Sequence, residues 1–291
     1  MIGVMVRLAR VPLTAAAVWA VLAVTAPLAM SQYRPFVLVR GIGSSPRPAS
    51  PFAIFNAPVS LPNVAETYKL PLSDVILEAT LRSAVLLVGV AAFSLTVGVL
   101  LGIAAALVRR RPASSGAILG TTSVVAAIPS FFLAYFLQIV IIFIGGAAGH
   151  SILPVFGFGF DGHLVLPLLA LAAPAVAMTA QLTAIRMGEV FDAEFVTTAN
   201  AKGLLASWIV RVHILPHVLP VSLEAVGSGL RVSVASLPIV EYILQWNGIG
   251  LVALQAVALG DAAAFAACGV VLAALFSLAS LLLDLRPRHL A

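Results

Sequence analysis

The sequence predicts an all-α polytopic membrane protein with six transmembrane helices, and three observations carry that prediction. Hydrophobic residues make up 62% of the 291-residue chain and charged residues 9%, with a mean hydropathy of +1.12, far outside the range of soluble domains. Apolar stretches near the ~20 residues that a helix needs to cross a bilayer core recur six times, at approximately 9–30, 81–108, 117–147, 164–185, 218–243 and 263–284. Lys and Arg gather in alternate connections between them, which is a signal of membrane topology rather than of fold.

The first stretch follows Arg7 and Arg10. A basic start and small residues around Ala26 and Ala29 also suit a cleaved signal peptide, but the apolar run is longer than a usual signal core, so residues 1–30 are expected to be a retained N-terminal segment and span. Residues 31–80 hold seven prolines, including the run "SSPRPASP", and read as an irregular external excursion. Residues 81–291 are expected to form a core of five spans.

Arg109, Arg110 and Arg111 follow the second stretch, Arg186, Lys202 and Arg211 the fourth, and Arg286 and Arg288 the sixth, whereas the connections 148–163 and 244–262 carry no Lys or Arg. Both termini are therefore expected in the cytoplasm. Arg34, Arg40, Arg47 and Lys69 in the long external segment do not oppose this, because long loops cross largely regardless of charge. The net charge of +5 comes without an aromatic–basic platform, and a nucleic-acid partner is not expected. The lone Cys268 excludes an intramolecular disulfide and a cysteine metal cluster.

One polar insert interrupts this pattern. Residues 186–217 include "EFVTTANAKGLLASWIVRVHILPH", Glu194 to His217. Phe191, Phe195 and Ala199 recur every four residues, with Glu189, Asp192 and Glu194 near the start and Lys202 near the end; this predicts a short helix from about Glu189 whose charges match its dipole. Gly203 supplies a left-handed stop, and Leu205, Trp208, Ile209 and Val212 begin a second helical stripe expected to end before Pro216. A helix lying on lipid usually carries a lysine-rich polar face, which the three carboxylates here do not provide. A protein groove suits it better.

The stretch "FVTTANAKGLLASWIVRVHILP" resembles the cytoplasmic signature loop of ATP-binding-cassette (ABC) importer permeases, with Gly203 at its glycine, Leu215 and Pro216 at its ending, and Thr197 where that family usually has glutamate. Phe195, Val196, Thr198, Ala199, Ala201, Lys202 and Gly203 are similar to the peptide/nickel branch. "PLSDVILEATLRSAVLLVGV" from Pro71 resembles the entrance of the family's second span, and "VEYILQWNGIGLVALQAV" from Val240 resembles a further segment, matched at Glu241, Trp246, Gly248 and Gly250, with Leu244 and Asn247 in place of its phenylalanine and proline. The family's external Trp-Gly-Asp-like stretch is missing. The resemblance covers roughly residues 70–288 and looks more like the B-type than the C-type partner of the permease heterodimers.

What the resemblance implies is a type I ABC importer permease arrangement with a cytoplasmic coupling-helix loop, in a bacterial or archaeal plasma membrane. Its partners would be a second homologous permease, two cytoplasmic ATPase domains that bind ATP and Mg, an external solute-binding lipoprotein and the surrounding lipid; its cargo would be oligopeptides or dipeptides. The chain lacks a Gly-x-x-x-x-Gly-Lys-Ser/Thr phosphate loop, so no cofactor and no catalysis are expected in it. Glu194, Phe195, Thr198, Ala199, Lys202, Gly203, Leu215 and Pro216 are the expected ATPase-coupling residues.

Glu224, Arg231 and Glu241 are candidates either for a substrate pathway or for an intersubunit tie, because an ionisable side chain at membrane depth is costly and rarely idle. Glu224 and Arg231, seven residues apart, fall on one helical face about 10 Å apart along the axis. His213 and His217 are four apart, but no glutamate completes a His-Glu-x-x-His pattern. Gly98 with Gly102, and Gly145 with Gly149, allow close helix approach, and Pro129 predicts a kink within the third span. An ion-coupled secondary transporter using the same charges, or an intramembrane hydrolase using Ser228, are the competing classes; neither accounts for the polar insert.

Overall fold

The computed structural model describes residues 14–23, 25 and 64–281 of the chain. Helices account for the regular structure, and no strand occurs among the described residues. They run as α1 (Thr14–Ala23), α2 (Val64–Tyr68), α3 (Leu72–Leu107), α4 (Pro112–Ala127), α5 (Ser130–Ala148), α6 (Val165–Phe191), α7 (Glu194–Ala201), α8 (Ala206–Leu244), α9 (Ile249–Leu259) and α10 (Ala262–Leu281). Five helical segments among the described residues are long and apolar enough to cross a membrane: α3, α5, α6 with its leading turn, α8 and α10. The expected first span is described only at 14–23 and 25, where it is helical; Arg7, Arg10, Arg34, Arg40, Arg47, Arg286 and Arg288 lie outside the described residues.

Three expected boundaries change. α3 starts at Leu72 and is 36 residues long, about 54 Å at the usual helical rise. It therefore reaches beyond a ~30 Å hydrocarbon layer and turns the last part of the expected external loop into helix. The third stretch is two helices rather than one kinked span. Ile128 is extended (φ −81°, ψ 123°) and Pro129 follows at φ −58°, ψ 136°, because proline pushes the residue before it out of the helical region and cannot donate to the preceding turn. Finally, the connection 244–262 contains α9, an 11-residue helix whose Ile249, Leu251, Val252, Ala253 and Ala256 are buried.

α6 is the axle of the bundle and α8 its main partner. Gly229 of α8 lies so close to Ala175 of α6 that a Cβ there would fall within 3 Å of its Cα and Cβ; only glycine permits that approach. Ser233 Oγ on the same face donates to Leu171 O at 2.8 Å, and Thr183 and Ser222 hydroxyls meet at 2.7 Å, polar ties of the kind that hold helices together where no water competes. Gly98 and Gly102 of α3 sit on Thr179 and Thr183 of α6 in the same way. By contrast α5 buries only Ser130, Ala134 and Gln138 and exposes Phe131, Phe136, Ile139 and Phe143, an apolar face suited to lipid.

Candidate functional site

The polar insert forms an elbow between α6 and α8, and its residues explain its shape. α6 runs on to Phe191, so Glu189 and Phe191 belong to the end of that span and not to the short helix, which begins at Glu194 after a turn at Asp192 and Ala193. α7 ends in a complete Schellman motif: Gly203, at φ +71°, donates to Asn200 O at 2.9 Å, and Leu204 N donates to Ala199 O at 3.3 Å. A side chain with a Cβ is strained at that φ, which is the local reason for glycine here. The chain then enters α8 at Ala206 and passes through a wide π-helical stretch, Ile209–Ile214, without stopping. Leu215 and Pro216 therefore sit inside a continuous helix rather than at an ending. Pro216 is tolerated because it falls where the regular α-helical hydrogen bonding begins again.

The elbow stands on a small core of its own. Ala106 of α3, Met187 and Val190 of α6, Val196 and Ala199 of α7, and Ile209, Ile214 and Val218 of α8 form one buried apolar cluster. Ala199 was expected to face an ATPase; it is instead 5% exposed and its small side chain lets α7 lie close to its own spans. Glu194, Thr198, Lys202 and Gly203 are all exposed. So are Phe195, Leu205 and Trp208, at 42%, 75% and 54%, and the Phe195 ring lies 5.4 Å from that of His217. The outer surface of the elbow is thus an apolar patch edged by Glu194 and Lys202.

A side-chain clamp fixes the turn beneath this patch. Arg109, just past α3, donates to Asp192 Oδ1 at 2.8 Å and Oδ2 at 3.0 Å and to Gly188 O at 3.1 Å, with its guanidinium 5.1 Å from the Phe191 ring centre. The fork geometry is the one arginine makes best with a carboxylate. This hydrogen bonding holds the Asp192 carboxyl below the usual carboxylate range and raises Arg109. Nothing in the sequence pairs residues 109 and 192; the contact arises because α3 and α6 end side by side.

The candidate pathway residues separate into two environments. Glu241 is fully buried: its Oε1 accepts from Ser83 Oγ at 2.5 Å, and its Oε2 accepts from Gly250 N at 2.8 Å and Leu251 N at 3.1 Å. Ser83 Oγ in turn accepts from Ile249 N at 2.9 Å. The first N–H groups of a helix lack intrahelical acceptors, and Glu241 with Ser83 satisfies three of them in α9. The matched glycines are explained by this knot, since a Cβ at Gly248 would collide with the Glu241 carboxyl and one at Gly250 with the backbone of Pro238. Glu224 and Arg231 are each half-buried, on the face of α8 opposite its buried one, and among the described residues neither has a hydrogen-bond or ion-pair partner; Arg231 Nε is buried and unpartnered.

The end of the bundle opposite the elbow is tied down separately. Tyr68 OH donates to Gln255 Oε1 at 2.6 Å and Val64 N to Asp261 Oδ2 at 3.2 Å, joining α2 to α9 and the start of α10. Trp246 packs edge-on to Phe158, 4.8 Å between ring centres, and Arg82 lies over that same Phe158 ring. His163 Nδ1 is 2.6 Å from Asp161 Oδ1, which lowers the Asp161 pKa, and a ring nitrogen of His150 lies 3.1 Å from Ala148 O. Among the described residues no three His, Cys, Asp or Glu side chains gather as a metal site.

Comparison with known proteins places this geometry. Residues 98–290 match the family model described as binding-protein-dependent transport system inner membrane component. The glutathione transport system permease protein GsiC of Salmonella typhimurium is 29% identical over 166 residues, 56% of this chain and 52% of that protein. The di/tripeptide transport system permease protein DppB of Pseudomonas aeruginosa is 34% identical over 99 residues, 34% of this chain and 30% of that protein. The peptide transport system permease protein SapB of Salmonella typhimurium is 28% identical over 123 residues, 42% and 38% respectively. The match thus spans about half or less of the length of each of these relatives. With two thirds of its length inside the family model and its apolar helices suited to the membrane, the chain belongs to the binding-protein-dependent transport system inner membrane components, the family of ABC permease subunits.

Proposed function

We propose that this chain is one permease subunit of an ATP-driven importer of short peptides. It forms half of a pathway shared with a second homologous permease, is driven by two cytoplasmic ATPase domains that bind ATP and Mg, and is supplied by an external solute-binding protein. Both its termini lie in the cytoplasm, the side to which the positively charged connections belong.

The observation that carries this reading is the elbow. An exposed apolar patch at Phe195, Leu205 and Trp208 sits on a turn packed and clamped to the inner ends of α3, α6 and α8. A groove that covers the patch gains burial of apolar surface, and its displacement is passed on through close-packed contacts rather than absorbed. ATP binding that closes the ATPase pair favours one packing of α6 and α8 over another only if the elbow fits its groove differently in the two states.

Site-specific crosslinking tests this. The native Cys268 is fully buried, so a single cysteine introduced by Leu205→Cys is the one accessible thiol among the described residues. In native membranes it should capture a Walker-type ATPase, with a yield that changes on adding ATP and vanadate. Peptide uptake that continues while no ATPase is captured, and after the ATPases are deleted, refutes the proposal.

A further inference from the structure

The outward face of α8 is polar where a lipid-facing helix would be apolar. Successive residues advance by about 100° around a helix, so His217, Glu224, Ser228, Arg231 and Tyr242 fall within about 40° of one line. The buried face, with Ser222, Gly229, Ser233 and Val240, lies diametrically opposite. This line is therefore the part of α8 turned furthest from its own bundle; it carries exposed Ile239 at its edge, but it puts His217, Glu224, Ser228 and Arg231 where α5 exposes Phe131, Phe136, Ile139 and Phe143. Arg231 lies about two thirds of the way along α8, well inside both ends of the helix. Among the described residues it has no partner, and its Nε is shielded from solvent without a hydrogen bond. An arginine left this way at membrane depth is costly unless water or an anion reaches it.

Opposite charges on the line are spaced in a way that suggests the occupant. Glu224 and Arg231 are seven residues apart, about 10 Å along the axis, and they do not pair with each other. An extended chain covers at most about 3.3–3.6 Å per residue, so roughly three residues separate an ammonium from a carboxylate by that distance. Building on the importer proposed above, we infer that this face is a transient station for a short zwitterionic peptide. Arg231 receives the terminal carboxylate through its fork of N–H donors, and Glu224 faces the terminal ammonium. Ser228, between them on the same line, offers a hydroxyl to the peptide backbone. Glu241 has no part in the station because Ser83 and α9 occupy its carboxyl.

The test uses the full transporter in its native membrane and radiolabelled trialanine as the probe. Arg231→Met should lower the maximal uptake rate about tenfold or more, the scale expected when one member of a desolvated charge pair is lost, and Arg231→Lys should retain part of the rate. In both variants the second permease and the ATPases should still co-purify with the chain. Wild-type uptake by Arg231→Met refutes the station. Loss of the second permease from both variants also refutes it, because it makes Arg231 a tie between subunits. A wild-type system that takes up no trialanine overturns the peptide reading itself, and the station with it, before any variant is compared.

Discussion

Replacing Glu241 with alanine removes the acceptor for three hydrogen bonds at one point: Ser83 Oγ, Gly250 N and Leu251 N. The Ser83 hydroxyl can rotate toward another acceptor, but the two amides are fixed in the first turn of α9 with Glu241 as their acceptor. A buried donor left without a partner costs about 1–3 kcal/mol, so the two amides together set a loss of about 2–6 kcal/mol. At ~2 °C per kcal/mol for a chain of this size, the Tm should fall by at least about 4 °C. Glu241→Gln keeps one acceptor oxygen and should lose less. Thermal unfolding of the purified complex in detergent reads the shift. Trp246 reports locally: its backbone N donates to Glu241 O at 2.9 Å and its ring is fully buried, so its emission should move to longer wavelength as α9 loosens. If Glu241→Ala unfolds within about 1 °C of the wild type with unchanged emission, the reasoning that this carboxyl holds α9 in place is wrong.

Two further outcomes are expected. Gly229→Leu inserts a side chain where α8 touches Ala175 of α6 and should destabilise the complex by about 1–3 kcal/mol or more through overpacking, read as a lower Tm, with Gly229→Ala intermediate. The Arg109 clamp should depend on pH in one direction. Because the Asp192 pKa is lowered in the folded chain, the stability it contributes is complete above the ordinary carboxylate pKa of about 4 and is lost only as pH falls through the depressed value. A spin label on exposed Asn200 should therefore stay immobile from neutral pH down to about 4 and loosen below it. Arg109→Ala should make the label mobile already at pH 7; unchanged mobility in that variant counts against the clamp.

Part of the elbow is legible in the sequence alone. The bend at Gly203 is readable because glycine alone tolerates the left-handed conformation without strain; of the three carboxylates expected at the start of the short helix only Glu194 lies in its first turn, and Lys202 falls just past its end. The polar line of α8 was half visible in the seven-residue spacing of Glu224 and Arg231; adding Ser228 at four residues from Glu224 would have completed it. The Arg109 clamp and the Ser83 contribution to the Glu241 knot carried no such sign, since their partners are 83 and 158 residues away.

By itself the sequence determined the membrane environment, the approximate positions of the described spans and the existence of a polar elbow between two of them. These are properties of single residues and short windows: transfer free energy, helical periodicity and allowed backbone angles. Only the tertiary structure decided which way each residue faces. It turned Ala199 inward onto the elbow's core, joined the second half of the insert to α8, split the third stretch at Ile128 and Pro129, and placed Glu241 at the start of a helix hidden in an expected loop. Each of these depends on which distant surface a helix meets, because a close-packed contact or a shared hydrogen bond is a property of a pair, and the chain's local pattern specifies only one member of it.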